Sequence, residues 1–164
     1  MPSRDAGSTS LSAAPSCLLL EAPPAASAAV PPAFGMAVRS EPSSVAVARR
    51  VTREWIRCHC RMSVDQVDAF LIVVSELCTN AVLHGRHGSI DLRCWMTARD
   101  ELRLEVHDRT PSAVPEPRCV RPESENGRGL LLVEALITGM GGTWGFGEDG
   151  SFAWCSLVLP GEGR

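Results

Sequence analysis

The most concentrated chemistry in this chain lies in the run Glu76-Leu-Cys-Thr-Asn80-Ala-Val-Leu-His84-Gly85. Glu76, Asn80 and His84 fall at i, i+4 and i+8, so on an α-helix they rise one above another along one face. A carboxylate and a carboxamide held together on one rigid element suit the deprotonation of a hydroxyl or water beside a hard, oxygen-loving cation. The apolar residues Val67, Phe70, Leu71, Val74, Leu77, Cys78 and Ala81 form a separate stripe. Glu76 and Asn80 project roughly 120–160° away from the centre of that stripe. Ordinary amphipathic helices carry the same residue types on a solvated face, so the run alone leaves a site and a plain surface equally open.

Two further stretches bear on the choice. Leu104-Glu-Val-His-Asp108 ends in a carboxylate at a strand terminus, where it can accept a directional hydrogen bond from an exocyclic amine. Taken alone, a polar strand end is the simpler reading. In Glu125-Asn-Gly127-Arg128-Gly129-Leu130, glycines precede an apolar helix. Backbone N–H groups at such an entry can approach phosphate oxygens, the helix dipole favours negative charge, and Arg128 adds a fork of donors. The stretch is not a complete dinucleotide fingerprint, because the third glycine is missing and no strand precedes it.

The elements that must position these groups follow from periodicity and punctuation. Residues 1–32 are rich in Ala, Pro and Ser and read as a disordered tail. Ala33 to Arg39 reads as a short strand. Ser40-Glu41-Pro42 reads as a helix start with Ser40 as N-cap, and the stripe Val45, Ala48, Val51, Trp55, Ile56 continues that helix towards Cys60. Ser63-Val-Asp-Gln66 is a capping box opening the helix that carries Glu76, and Gly85 is placed to end it as a left-handed cap. Ile90–Thr97 and Glu101–His107 alternate as a hairpin, and residues 109–128 read as a long functional loop. Gly129–Ile137 reads as an apolar helix, and Gly141–Gly147 with Ser151–Leu159 as a closing hairpin around Glu148-Asp149-Gly150. The order predicts one α+β domain over residues 33–160, a two-layer sandwich with helices packed on one face of a mostly antiparallel sheet, and a short tail at 161–164.

Composition narrows the function. All 16 basic residues are Arg and none is Lys, against 19 acidic residues, a net charge of −3. The absence of Lys excludes a Walker A loop, a eukaryotic-type protein kinase and Schiff-base chemistry. The charge balance points to no nucleic acid and no anionic membrane. No run approaches the ~18 apolar residues of a membrane span, and Asp5 and the prolines at 15, 23 and 24 argue against a signal peptide. The seven Cys are scattered without a CxxC pair. Cys78, Cys94 and Cys155 sit in apolar segments as small hydrophobes, and Cys58-His59-Cys60 lacks a second ligand pair for zinc. Reduced thiols and a cytoplasmic location are expected.

In their order and spacing the three motifs resemble the ATP-binding fold shared by gyrase, the heat-shock chaperone and histidine kinases (the GHKL or Bergerat fold), and most of all its anti-sigma-factor serine kinase branch. Ser75-Glu76-x3-Asn80-Ala81-x2-His84-Gly85 resembles that branch's N-box, Asp108 its adenine-reading aspartate, and Gly127-Arg-Gly129-Leu130 its second glycine box. Thr143-Trp-Gly145 and Phe152-Ala-Trp154 are similar to its final strands, so the likeness covers roughly residues 33–160. The resemblance implies that Asn80 ligates Mg²⁺ bridging the ATP phosphates and that Glu76 is the general base for a serine hydroxyl. It implies that Asp108 holds the adenine amine, that Gly127, Arg128, Gly129 and Leu130 form the phosphate-side box, and that His84 orients the end of the N-box helix.

The implied activity is a serine/threonine kinase of anti-sigma-factor type acting by partner switching, with a sigma factor or its small antagonist protein as partner. The alternative is an ATP-binding interaction module without phosphoryl transfer. Whether the chain forms a homodimer is left open. A histidine-kinase role fits less well, since no helix pair with a phosphoacceptor His precedes the domain. The sequence departs from the branch at its first glycine box: Asp108-Arg-Thr-Pro-Ser112 has no glycine, and proline fixes φ where glycine would give freedom. A shorter or stiffer lid is expected.

Overall fold

The architecture is an α+β sandwich, five antiparallel strands carrying a layer of helices. A computed structural model describes residues 31–97, 99–112 and 128–159. The expected tail up to residue 30, most of the long loop with Gly127, and residues 160–164 lie outside these. The elements are β1 (Ala33–Arg39), α1 (Pro42–His59), α2 (Val64–His84), β2 (Ser89–Met96), β3 (Glu101–His107), α3 (Arg128–Gly139), β4 (Thr143–Phe146) and β5 (Phe152–Val158). Their spatial order in the sheet is β1-β2-β3-β5-β4.

Strand alternation decides which face is covered. Ile90, Leu92 and Cys94 on β2, Leu102, Leu104 and Val106 on β3, and Ala153, Cys155 and Leu157 on β5 are buried, while Asp91, Arg93, Arg103 and Glu105 point to the opposite face. The register couples the core positions across strands, Leu92 to Val106 and Leu104 to Cys155. α2 closes the core from above with Phe70, Val73, Val74, Leu77, Cys78 and Ala81, and it packs against α1 on one side and α3 on the other. Each fully buried Leu, Val or Phe contributes roughly 1.5–3 kcal/mol relative to exposure. The central helix is therefore fixed by its own apolar stripe, and the Glu76 row takes its position from that packing.

Local chemistry explains the helix ends, with two corrections. The Ser63 capping box forms: Ser63 Oγ accepts from the Gln66 N–H at 3.2 Å, and Gln66 Oε1 accepts from the Ser63 N–H at 2.9 Å. The N-cap of α1, however, is Glu41 and not Ser40, and its side chain makes no cap bond. The ring of Pro42 forces the residue before it into extended backbone (φ −134°, ψ 146°), so the last non-helical residue must be Glu41. Ser40 instead donates its N–H to Gly88 O at 3.0 Å.

Gly85 ends α2 without the expected left-handed turn, at φ −65° and ψ 141°. Glycine is needed there for space. A Cβ would stand 2.5 Å from Ala81 O and 3.1 Å from Asp108 Cβ.

Against the expectation of no membrane-length segment, α2 is long and apolar enough to cross a bilayer. Here that apolar content serves the core, with seven buried residues against the sheet and its neighbouring helices.

Candidate functional site

α2 presents Glu76, Asn80 and His84 to two adjoining hollows. The larger is a cavity of ≈ 580 Å³ between the C-terminal half of α2, the end of β3 and the start of β5; Asn80, His84, Asp108 and Leu130 all line it. The smaller, ≈ 90 Å³, is bounded by Glu76, Asn80, His84, Gly129 and Leu130. Asn80, His84 and Leu130 are common to both, so they form the ridge between the hollows. Glu76 and Asn80 are half-buried and His84 is exposed.

The first turn of α3 meets α2 at Glu76. A Cβ added to Gly129 would meet the Glu76 carboxylate, so glycine lets this helix entry lie against that side chain where it stands. Arg128, the first residue of α3, is exposed and lines neither hollow among the described residues. The structure thus brings six of the eight sequence-derived residues together: Glu76, Asn80, His84, Asp108, Gly129 and Leu130. Arg128 stands at the margin, and Gly127 is outside the described residues.

Asp108 is held by a network the sequence did not reveal. Its Oδ1 accepts the Thr110 N–H at 2.8 Å, and the Thr110 hydroxyl donates back to Asp108 O at 3.3 Å. The same hydroxyl oxygen accepts the Arg86 N–H at 2.9 Å, tying the loop after α2 to the turn after β3. Arg109 adopts a left-handed φ of 57°, and its guanidinium pairs with Asp91, with Nε to Oδ2 at 2.9 Å. The Asp108 and Arg109 N–H groups both donate to Ser151 O at 3.2 Å, and the Ser112 N–H donates to Asp149 O at 3.0 Å. The glycine-free box is therefore strapped to the β4–β5 turn. That turn is itself ordered: Asp149 Oδ1 accepts from Ser151 Oγ at 2.7 Å and Ser151 N at 3.0 Å, which holds its carboxyl below the usual range.

The cavity also draws on residues without an advance signal. Phe146, Phe152 and Val106 supply apolar wall, and Thr110, Pro111 and Ser112 close the far end. Phe152 stacks on His107 at 4.7 Å between ring centroids. These positions read as plain strand and loop residues. Only the Asp-x-Thr-Pro-Ser sequence hinted at a structured turn.

Away from this site, Cys58-His59-Cys60 builds no metal centre: the described residues contain no group of three His, Cys, Asp or Glu placed to hold an ion. Cys60 Sγ instead lies 3.6 Å from Met96 Sδ. Cys78, Cys94 and Cys155 are buried free thiols, as their apolar surroundings imply, and burial pushes Cys78 and Cys155 up to about 12.

The fold is a two-layer α+β sandwich with a polar-ended cavity of small-molecule size at the C-terminal end of a central helix and a glycine-entered helix beside it. The family model for the histidine kinase-like ATPase domain matches residues 38–140, and the chain belongs to that family. Among solved structures it is similar to the histidine kinase domain from the Erythrobacter litoralis EL346 blue-light activated histidine kinase, at 24% identity and a TM-score of 0.48 over 62% of this chain and 48% of that one. It is also similar to the Erythrobacter litoralis EL346 blue-light activated histidine kinase itself, at 20% identity and a TM-score of 0.47 over 71% of this chain and 40% of that one. The chain thus spans less than half the length of either. No curated protein matches it at a significant level.

Proposed function

We propose that this chain binds Mg²⁺–ATP in the cavity beside α2 and acts as a serine/threonine protein kinase of anti-sigma-factor type, regulating transcription by partner switching. The observation that carries the reading is the shared lining of the hollows. Asn80 and Asp108 face one cavity of ≈ 580 Å³, within the usual range for a small-molecule site. Glu76 stands in the hollow next to it, against the entry of α3.

The donor set fits the cation. Mg²⁺ takes oxygen ligands, keeps several waters and is commonly held by one or two protein oxygens plus substrate phosphates. A single carboxamide oxygen from Asn80 suits that mode, and the described residues offer no all-protein cage. When bound, Mg²⁺ supplies neutralisation of charge on the phosphates.

The chain's own residues supply the rest. Asp108 offers a carboxylate oxygen to the base amine. The apolar side chains of Val106, Phe146 and Phe152 exclude water from the base. Gly129 allows the α3 entry to approach the phosphate end, where helix amides and dipole favour negative charge. Glu76 takes the proton of an incoming serine hydroxyl at its carboxylate.

A second reading has its own support. The strapping of Asp108–Ser112 to Ser151 and Asp149 holds this box in one arrangement, which favours an interaction module that binds ATP without transferring phosphate. Incubation with γ-labelled ATP and a panel of small antagonist proteins separates the two. Label on an antagonist serine is the expected outcome, whereas binding without transfer across the panel favours the module. Absence of any thermal shift would overturn both, because ATP at ~100 times its Kd should stabilise the fold by about 2.7 kcal/mol.

A further inference from the structure

We propose that Thr110 is a positioning residue for purine recognition: its hydroxyl, bonded to the Arg86 N–H and the Asp108 carbonyl oxygen together, fixes the turn whose backbone N–H holds the Asp108 carboxylate ready for a 6-amino group. The inference rests on the reading above, in which Asp108 faces the base. Where the resembling ATP-binding domains place glycines after this aspartate, this chain has Arg109-Thr110-Pro111-Ser112.

The Thr110 backbone N–H, which any residue but proline would offer, occupies Asp108 Oδ1 at 2.8 Å and leaves Oδ2 as the acceptor for a donor in the cavity. The hydroxyl does what glycine cannot. It is used in both directions, accepting the Arg86 N–H at 2.9 Å and donating to Asp108 O at 3.3 Å. Thr110 is only 9% exposed, so its hydroxyl meets protein groups more than water. The bond also joins the residue after Gly85 to the turn after β3, across the point where Gly85 packs against Asp108 Cβ.

A reason for the clamp lies next door. Arg109 is left-handed at φ 57°, a conformation that a non-glycine residue keeps only when its surroundings over-determine it. Asp91 and Ser151 hold Arg109 directly, and the Thr110 hydroxyl, bonded to Asp108 O, spans it. With glycines the turn would be free to swing. Here it is fixed, so base selection is set before the ligand arrives.

The test measures equilibrium affinity of the full chain for ATP and for purine riboside triphosphate, which lacks the 6-amino group. Thr110→Val, which removes the hydroxyl at equal volume, should shrink the preference for ATP about tenfold, the size of one lost hydrogen bond. Thr110→Ser, which keeps the hydroxyl, should restore the preference. Should Thr110→Val fail to fold, Thr110→Ala is read in its place. A hydroxyl-less variant that keeps the wild-type preference overturns the proposal, as does one that weakens both ligands equally. Asp108→Ala is run alongside: unchanged preference there overturns the base reading itself, a result distinct from failure at Thr110.

Discussion

The Glu76 carboxylate lies against the α-carbon of Gly129, in the space a Cβ would fill. This contact ties the acid on α2 to the entry of α3, two elements 53 positions apart in sequence (129 − 76). Gly129→Ala would push the far end of a flexible side chain, so stability should stay within about 1 kcal/mol of wild type. Glu76 would nonetheless be displaced, and a misplacement near 1 Å can slow a reaction ~10²-fold. Glu76→Gln should keep ATP affinity and slow transfer by ~10²–10⁴-fold. Calorimetric melts combined with transfer assays check both; a fully active Glu76→Gln variant would remove Glu76 as the base.

Asn80 stands on the ridge between the two hollows. If it holds the cation, Asn80→Ala should weaken ATP binding about tenfold or more in Mg²⁺ while leaving the metal-free affinity nearly unchanged. Isothermal titration in Mg²⁺ and in EDTA reads the difference. Equal losses in both buffers would instead give Asn80 a direct role towards the nucleotide.

Thr52 on α1 is fully buried, and its Oγ1 has no hydrogen-bond partner among the described residues. A buried hydroxyl without a partner retains its desolvation cost, of order 1–3 kcal/mol. Thr52→Val removes the hydroxyl at nearly constant volume and should stabilise the fold by about 1 kcal/mol, seen as a rise in Tm. A lower Tm would mean that the hydroxyl is satisfied in solution.

Cys78 and Cys155 are buried, with thiols pushed from 9.0 up to about 12. An acid whose pKa is raised by folding binds its proton more tightly in the native state, so stability is intact below the unfolded pKa and falls as pH rises beyond it. Melting temperature should therefore be insensitive to these thiols below pH 9.0 and decline between there and about 12. A Cys155→Ala variant should be less stable at neutral pH yet lose less on going alkaline. An unchanged slope would assign the decline to other groups.

Much of the fold was legible because it is local. The alternation of Ile90, Leu92 and Cys94 announced a one-sided strand, and Ser63 with Gln66 announced the start of α2. The row Glu76, Asn80, His84 was legible for the same reason, since helical spacing alone aligns it. The cap of α1 falls at Glu41 and not at Ser40, because Pro42 acts on the residue before it. Gly85 carries a sequence signal for a left-handed cap, but its need is steric, set first by Ala81 O on its own helix and then by Asp108 Cβ from another element. Thr110 was out of reach altogether: its partner, the Arg86 N–H, is 24 residues away, and no periodicity records a hydrogen bond between two loops. The insertion of β5 between β3 and β4 is likewise a property of the assembled sheet and not of any one strand.

The packing of α2 between α1, α3 and the sheet has a consequence for how the site breathes. Its buried face anchors the core, so its amides should be among the slowest to exchange with solvent, opening only when the whole domain opens. The row bearing Glu76 and Asn80 then has no private unfolding route. A ligand seated there should slow exchange throughout the core strands, including amides of β2 and β3 that never touch it.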